Sequence, residues 1–199
     1  VIAKRLFDLL LTLPGLLLLL PLMAVIALWV RLDSPGPVLF RQQRVGRGGV
    51  SFALLKFRSM RVDAEKLGPK VTVGADPRIT RSGQLLRKSK LDELPQLFNV
   101  VMGQMSLVGP RPEVPEYVAH YPAEIHDKVL SVLPGITDLA SIEFRNENAM
   151  LEGADDPVAT YLNEIMPIKL DYYVSYVEQR SLWLDLKIIF RTFWAVVSH

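Results

Sequence analysis

Between Leu9 and Val30 the chain carries no charged residue. A run of that length can cross the hydrocarbon core of a bilayer, which takes about 20 apolar residues, so contact with a membrane is the first constraint on the fold. The segment lacks the form of a cleaved signal peptide: it is too long, and Trp29-Val30-Arg31-Leu32-Asp33 offers no small-residue cleavage site. Pro14 and Pro21 lie inside it. Each removes a helix hydrogen bond and crowds the carbonyl four residues earlier, which favours a kink. Lys4 and Arg5 flank one end, and Arg31, Arg41 and Arg44 follow the other. Positive charge favours the cytoplasmic side, so a helix that bends near Pro21 and returns satisfies both flanks. Prolines are also tolerated in spanning helices. On the residues alone both arrangements stay open, with a kinked span the simpler of the two.

The remaining length suits one compact domain, giving a membrane segment over 1–32 and a membrane-associated domain over 33–199. Asp33-Ser34-Pro35-Gly36-Pro37 is a turn cluster that stops the apolar run. Val38 to Phe40 and Ser51 to Phe57 predict a small hairpin around Gly46-Arg47-Gly48-Gly49. Asp63 to Pro77 reads as a loop, and Ser82 to Lys88 as a short helix. Leu94, Leu97, Phe98 and Val101 then form an apolar stripe of helical period, which predicts a helix from Asp92 to near Gly103 with Pro95 in its first turn. Val114 to Tyr121 and Ala123 to Leu130 are helical segments separated by Pro122. Pro134-Gly135 marks a turn, and Pro157 to Tyr176 is a helix reset at Pro167. Leu182 to Val197 is either an amphipathic helix on the membrane surface or a helix packed into the core. There is no cysteine, which excludes disulfides, thiolate catalysis and cysteine-bound metals.

Basic residues concentrate between Arg41 and Arg111, which hints at an anionic ligand or lipid headgroups, although a solvated basic face produces the same pattern. Within that region Asp92 and Glu93 are adjacent carboxylates at a helix start, beside unpaired backbone N–H groups and the positive end of a helix dipole. One carboxylate could attack phosphorus while the other binds a divalent cation. Ordinary capping is the competing explanation, and Ser89 with Asp92 fits a capping box. Arg81, Arg87, Lys88 and Lys90 precede the pair, and Arg111 follows between Pro110 and Pro112. Carboxylates for magnesium beside guanidinium groups for phosphate are the parts of phosphoryl transfer. Lys56 and Arg58, sharing one face of a strand end, could hold the leaving phosphate. Arg145 and Asn146, with Asn148, form a polar group suited to a nucleobase or to a plain loop. The three histidines have no spacing that suggests a metal site.

Asp33-Ser34-Pro35-Gly36-Pro37-Val38, Lys56-Phe57-Arg58-Ser59-Met60, Leu91-Asp92-Glu93-Leu94-Pro95-Gln96-Leu97-Phe98-Asn99-Val100 and Leu107-Val108-Gly109-Pro110-Arg111-Pro112, in that order, resemble the bacterial sugar transferase family, the monotopic polyprenyl-phosphate phosphosugar transferases. The length is similar to the family's minimal catalytic core, without the extra N-terminal membrane domain of larger members. The resemblance implies an α+β, mainly helical fold: a small catalytic domain with a short β-hairpin, an N-terminal re-entrant membrane helix broken at Pro21, and amphipathic interfacial helices.

By the same resemblance the protein sits on the cytoplasmic face of the bacterial inner membrane, entering one leaflet. Asp92 is then the nucleophile that takes a sugar phosphate from a UDP-sugar, releasing UMP and passing the phosphosugar to undecaprenyl phosphate. Glu93, with Asp92, binds Mg2+, and Arg87 and Arg111 hold phosphates. The implied partners are the UDP-sugar, undecaprenyl phosphate and membrane lipids, with no nucleic acid and a homo-oligomer left open. The product lipid would initiate a glycoconjugate such as capsule, O-antigen, exopolysaccharide or a glycoprotein glycan. Two positions depart from the family's common pattern: Asp138 stands where Pro-Gly-Ile-Thr is often followed by Gly, and Leu20 precedes Pro21 where serine is common. The competing readings are a membrane-anchored scaffold that binds anionic lipids through its basic segment, and a glycosyltransferase that releases UDP.

Overall fold

A computed structural model describes residues 2–64, 76–145 and 147–197. The loop expected over Asp63 to Pro77 therefore lies mostly outside the described residues. Helix α1 (Ile2–Asp33) precedes an antiparallel hairpin of β1 (Leu39–Val45) and β2 (Ser51–Phe57). Helix α2 (Arg81–Lys88), a 3-10 turn over Leu91–Glu93 and helix α3 (Gln96–Val101) follow. Strand β3 (Ser106–Val108) leads to α4 (Pro115–Val118) and α5 (Ala123–Val129), and β4 (Gly135–Thr137) pairs with β3 in parallel. The chain continues through α6 (Leu139–Glu143), α7 (Glu147–Leu151), α8 (Pro157–Thr160), a π turn over Tyr161–Ile165, α9 (Met166–Gln179) and α10 (Leu182–Val197). The fold is mainly helical with a short hairpin.

Helix α1 remains helical through Pro14 and Pro21, so the break expected at Pro21 does not interrupt it. Met23, Ile26 and Val30, at i, i+3 and i+7, bury a stripe against Phe57 of β2 and Leu86 of α2. Much of its remaining surface is exposed leucine, including Leu10, Leu17 and Leu18. Each such side chain forgoes roughly 1.5–3 kcal/mol of burial in water, so this surface fits membrane association. Both ends of α1 are tied to the same domain. At its start Arg5 donates to the carbonyls of Val100 and Val101 at the end of α3, and the buried Asp8 accepts from Ser106 Oγ and Leu107 N. At its end Arg58 donates to the carbonyls of Val30 and Ser34, and Asp33 accepts from Ser82 N and Oγ at the start of α2.

The hairpin is longer than the apolar pattern indicated, because β1 continues through Arg41, Gln42, Gln43 and Arg44 to Val45 with a polar outer face at Arg41 and Gln43. Asn99 of α3 locks β2 in place: its side chain accepts from Leu55 N and donates to the Ala53 carbonyl, substituting for a neighbouring strand. The expected helix from Asp92 divides. Asp92 and Glu93 lie in the separate 3-10 turn, and Pro95, which has no N–H to donate, stands at the start of α3. Ser89 forms no capping box; it ends α2, with Oγ donating to the Leu85 carbonyl.

The parallel β3–β4 pair was not foreseen, since three-residue strands carry almost no periodic signal. It exists because Gly109 and Gly135 allow two backbones to cross in contact: a Cβ on Gly135 would lie 2.1 Å from Gly109 N. The departure at Asp138 is also explained, because its buried carboxylate caps α6 by accepting from Ser141 N. Helix α10 packs one face into the domain, as one of the two readings of its sequence expects. Asp185 and Ile188 are buried, while Trp183, Phe190, Phe193 and Trp194 are exposed. Gly135→Ala is expected to destabilise by about 3 kcal/mol through overpacking, lowering the thermal midpoint by roughly 10 °C in a melt of the detergent-held protein.

Candidate active site

Three segments meet at one carboxylate. Glu93 Oε1 accepts from Lys56 Nζ of β2 at 2.9 Å and from Arg111 Nη2, and Oε2 accepts from Arg111 Nη1 at 3.3 Å. Arg111 is held in position by its neighbours, since Pro110 offers its carbonyl to Gly135 N and Pro112 offers its carbonyl to Arg44. Asp92 is buried on the same cavity wall, and among the described residues its carboxylate accepts no hydrogen bond. Lys90, just before the turn, has φ 57°, a left-handed conformation that is strained for a residue with a Cβ.

Electrostatics separates the two carboxylates. Burial pushes the Asp92 carboxyl above the usual carboxylate range, with Lys56 opposing. Burial pushes Glu93 in the same direction, but Arg111 and Lys56 outweigh it and hold Glu93 well below that range. Burial lowers the Lys56 ammonium, and the charge of Glu93 works against that. The Arg111 guanidinium is raised by the charge of Glu93. Asp92 is thus a carboxylate with unused acceptor capacity, and Glu93 anchors two cations.

The cavity has a volume of about 1280 Å³, above the roughly 300–1,000 Å³ of ordinary small-molecule sites. Of the candidates named from sequence, Asp92, Glu93, Lys56, Arg58, Arg87, Arg111 and Arg145 all line it. Lys56 and Arg58 part company, because β2 ends at Phe57. Arg58 turns to the end of α1, where it is 4% exposed and donates to backbone and to Ser34 Oγ, so its role in this structure is to cap that helix. Asn146 lies outside the described residues, and so does the side chain of Asn148.

Sequence reasoning missed a second polar group on the same cavity. Glu113 accepts from Tyr161 Oη at 2.6 Å and from Arg44 Nη1 at 3.2 Å, and the buried Lys169 donates to Glu147 Oε2 at 2.6 Å. The positioning role of Asn99 was missed as well. The signal for Asn99 was an amide inside an apolar helical stripe; for Lys169 it was a lysine at the helical spacing of the apolar Ile165, Met166 and Tyr173.

A family model of bacterial sugar transferases matches residues 1–199. The chain belongs to the bacterial sugar transferase family. This member is 43% identical over 196 residues to the UDP-glucose:undecaprenyl-phosphate glucose-1-phosphate transferase of Xanthomonas campestris pv. campestris, a match covering 96% of this chain and 38% of that protein. It is 38% identical over 197 residues to the UDP-N-acetylgalactosamine-undecaprenyl-phosphate N-acetylgalactosaminephosphotransferase of Aeromonas hydrophila, covering 98% of this chain and 44% of that one. An exopolysaccharide production protein of Rhizobium leguminosarum bv. phaseoli is 38% identical over 206 residues, covering 96% and 93%. The chain thus spans about two fifths of the first two relatives.

The two carboxylates of this family member predict opposite stability effects. A carboxyl raised by burial is less stable as the anion in the fold than in the unfolded chain, and that loss is in force once pH exceeds the folded value. Asp92→Asn removes it, so the variant is expected to gain about 1 kcal/mol, or a few degrees in thermal midpoint. Glu93 contributes stability above its unfolded value, lost as pH falls through its lower folded one. Glu93→Gln leaves Lys56 and Arg111 without their counter-charge and is expected to cost about 3 kcal/mol. Denaturant melts of both variants at neutral pH measure the two signs.

Proposed function

We propose that this chain transfers a sugar 1-phosphate from a UDP-sugar to undecaprenyl phosphate, releasing UMP and beginning a bacterial glycoconjugate. The observation that carries the reading is Asp92: a buried carboxylate without a hydrogen bond among the described residues, beside a Lys56–Glu93–Arg111 cluster, in a cavity whose wall also includes Leu11, Gly15 and Leu19 of α1 and Ile189 and Phe193 of α10. Anion-binding groups and apolar helix surfaces on one cavity suit a nucleotide sugar and a lipid phosphate together. The names of the Xanthomonas and Aeromonas relatives support the same substrates.

An Asp92 oxygen attacks the phosphorus that bears the sugar, forming an acyl phosphate bond as the bond to the UMP phosphate breaks and UMP leaves with the electron pair. An oxygen of the lipid phosphate then attacks the same phosphorus and expels the Asp92 carboxylate, leaving a sugar diphosphate lipid. Arg111 and Lys56, with Arg87 on the cavity wall, bind and orient the diphosphate and stabilise charge in both steps.

A magnesium ion takes oxygen ligands and is often held by one or two carboxylates completed by substrate phosphate and water. Among the described residues no group of three acidic or histidine side chains is gathered. The adjacent carboxylates nevertheless fit an ion that arrives with the diphosphate: Asp92 and Glu93 would hold it, and it would supply neutralisation of the phosphate oxygens.

The ties at both ends of α1 support a re-entrant, one-leaflet placement on the cytoplasmic face of the inner membrane. A straight 32-residue helix is about 48 Å long, and a span would place Lys4–Asp8 and Asp33 on opposite sides of a hydrocarbon core of roughly 30 Å. Those residues instead hold the same domain.

With UDP-sugars, magnesium and undecaprenyl phosphate, the expected product is UMP, formed only with the lipid, abolished by chelator, and reduced at least about 10³-fold by Asp92→Asn. UDP as product would contradict the reading. Cysteines placed at Ile2 and Lys88 are expected to react with an impermeant reagent from the same face of oriented vesicles; labelling from opposite faces would rule out re-entry.

A further inference from the structure

The network of Glu113, Tyr161, Lys169 and Glu147, with Arg44, is buried polar structure that phosphoryl transfer does not use. Lys169 is only 4% exposed, yet it lines the cavity. Besides Glu147 it approaches Tyr161 Oη at 3.4 Å, while Glu113 Oε1 lies 3.9 Å away, too far for a hydrogen bond. An ammonium has three protons to donate and a carboxylate accepts several bonds, so the group retains hydrogen-bonding capacity toward the cavity.

Its place follows from the backbone. Phe40 faces Lys56 and Arg44 faces Phe52 across the hairpin, so Lys56 and Arg44 share one face with about four residues, roughly 13 Å, between them. Arg111 and Glu113 are two residues apart on one segment, at most about 7 Å of chain. The network therefore begins one short step beyond the groups that would bind the diphosphate.

Its chemistry differs from theirs. Arg44 and Lys169 balance Glu113 and Glu147, so the group carries no net charge and gives an anion no net attraction. It offers fixed donors and acceptors side by side, which is what hydroxyls that both donate and accept require. Tyr117, whose ring lies 5.2 Å from that of Tyr161, adds an aromatic surface to the same wall, suited to the C–H face of a pyranose.

We propose that the Glu113–Tyr161–Lys169–Glu147 network is the pocket for the hexose of the nucleotide sugar, positioning the ring by its hydroxyls while its phosphorus faces Asp92. The assignment rests on the phosphosugar-transfer reading. It accounts for a need that reading creates: the sugar stays on the enzyme between the two steps, after UMP has gone.

The test measures KM for UDP-sugars and inhibition by UMP in Glu147→Gln and Lys169→Met, with thermal midpoints alongside. Losing a hydrogen bond to a charged group is expected to raise KM for the preferred UDP-sugar about 10- to 100-fold and to narrow its advantage over its C4 epimer. Inhibition by UMP is expected to stay within about twofold. Should Lys169→Met fail to fold, Glu147→Gln, at the more exposed end of the pair, carries the test. Equal weakening of UMP inhibition and of KM would place the nucleotide here and overturn the proposal. An unchanged KM in a folded variant would reduce the network to a structural tie and overturn it too. A wild-type protein that releases no lipid-dependent UMP would overturn the transfer reading and this one together, whereas an active wild type with insensitive variants removes this one alone.

Discussion

Everything at the centre of this molecule depends on Glu93 having two cationic partners from distant parts of the chain. Lys56 comes from the hairpin and Arg111 from the proline-flanked segment after β3, and neither would sit in a largely buried cavity without the carboxylate between them. The supporting elements set that meeting. Asn99 pins α3 to β2, the Gly109–Gly135 contact fixes the start of the Arg111 segment, and Arg44 holds its far side through the Pro112 carbonyl. With Glu93 neutralised in this way, the adjacent Asp92 is left as the carboxylate whose burial raises its energy by more than Lys56, Arg87 and Lys90 lower it.

The long apolar helix α1 belongs to the same framework. Arg5 and Asp8 at one end and Asp33 at the other fasten α1 to α3, β3 and α2, of which α2 and α3 flank the 3-10 turn. The apolar surface is thereby fixed relative to Asp92, and the cavity wall passes from leucines of α1 to the charged cluster without a break in the fold. For the proposed reaction between a nucleotide sugar and a lipid phosphate, such rigidity places the donor and acceptor sites in one frame.

Much of this was legible in the sequence, and the limits have physical causes. The apolar run, the short hairpin, α2 and the two C-terminal helices followed from charge, turn residues and periodicity. The four ordered motifs pointed to the family, which the match over the whole chain establishes. Asp92, Glu93, Lys56 and Arg111, singled out by residue type and company, come together on one cavity wall. Arg58 resembled Lys56 in sequence but lies past the strand end, where alternation no longer predicts direction. The helix expected from Asp92 divided because the apolar stripe begins only at Leu94 and Pro95 interrupts the bonding. Lys169, Glu113 and Arg44 are separated by up to 125 positions, and only the tertiary fold brings them to one wall.

The central claim is that the Asp92 carboxylate takes up the phosphosugar before the lipid does. Intact-protein mass measurement after brief exposure to the preferred UDP-sugar and magnesium, with undecaprenyl phosphate withheld, tests it most directly. A mass increase of one phosphohexosyl group, mapped to the peptide containing Asp92, absent from Asp92→Asn and discharged when the lipid is added, is the expected result. An adduct that survives in Asp92→Asn, or one that the lipid does not discharge, would contradict it.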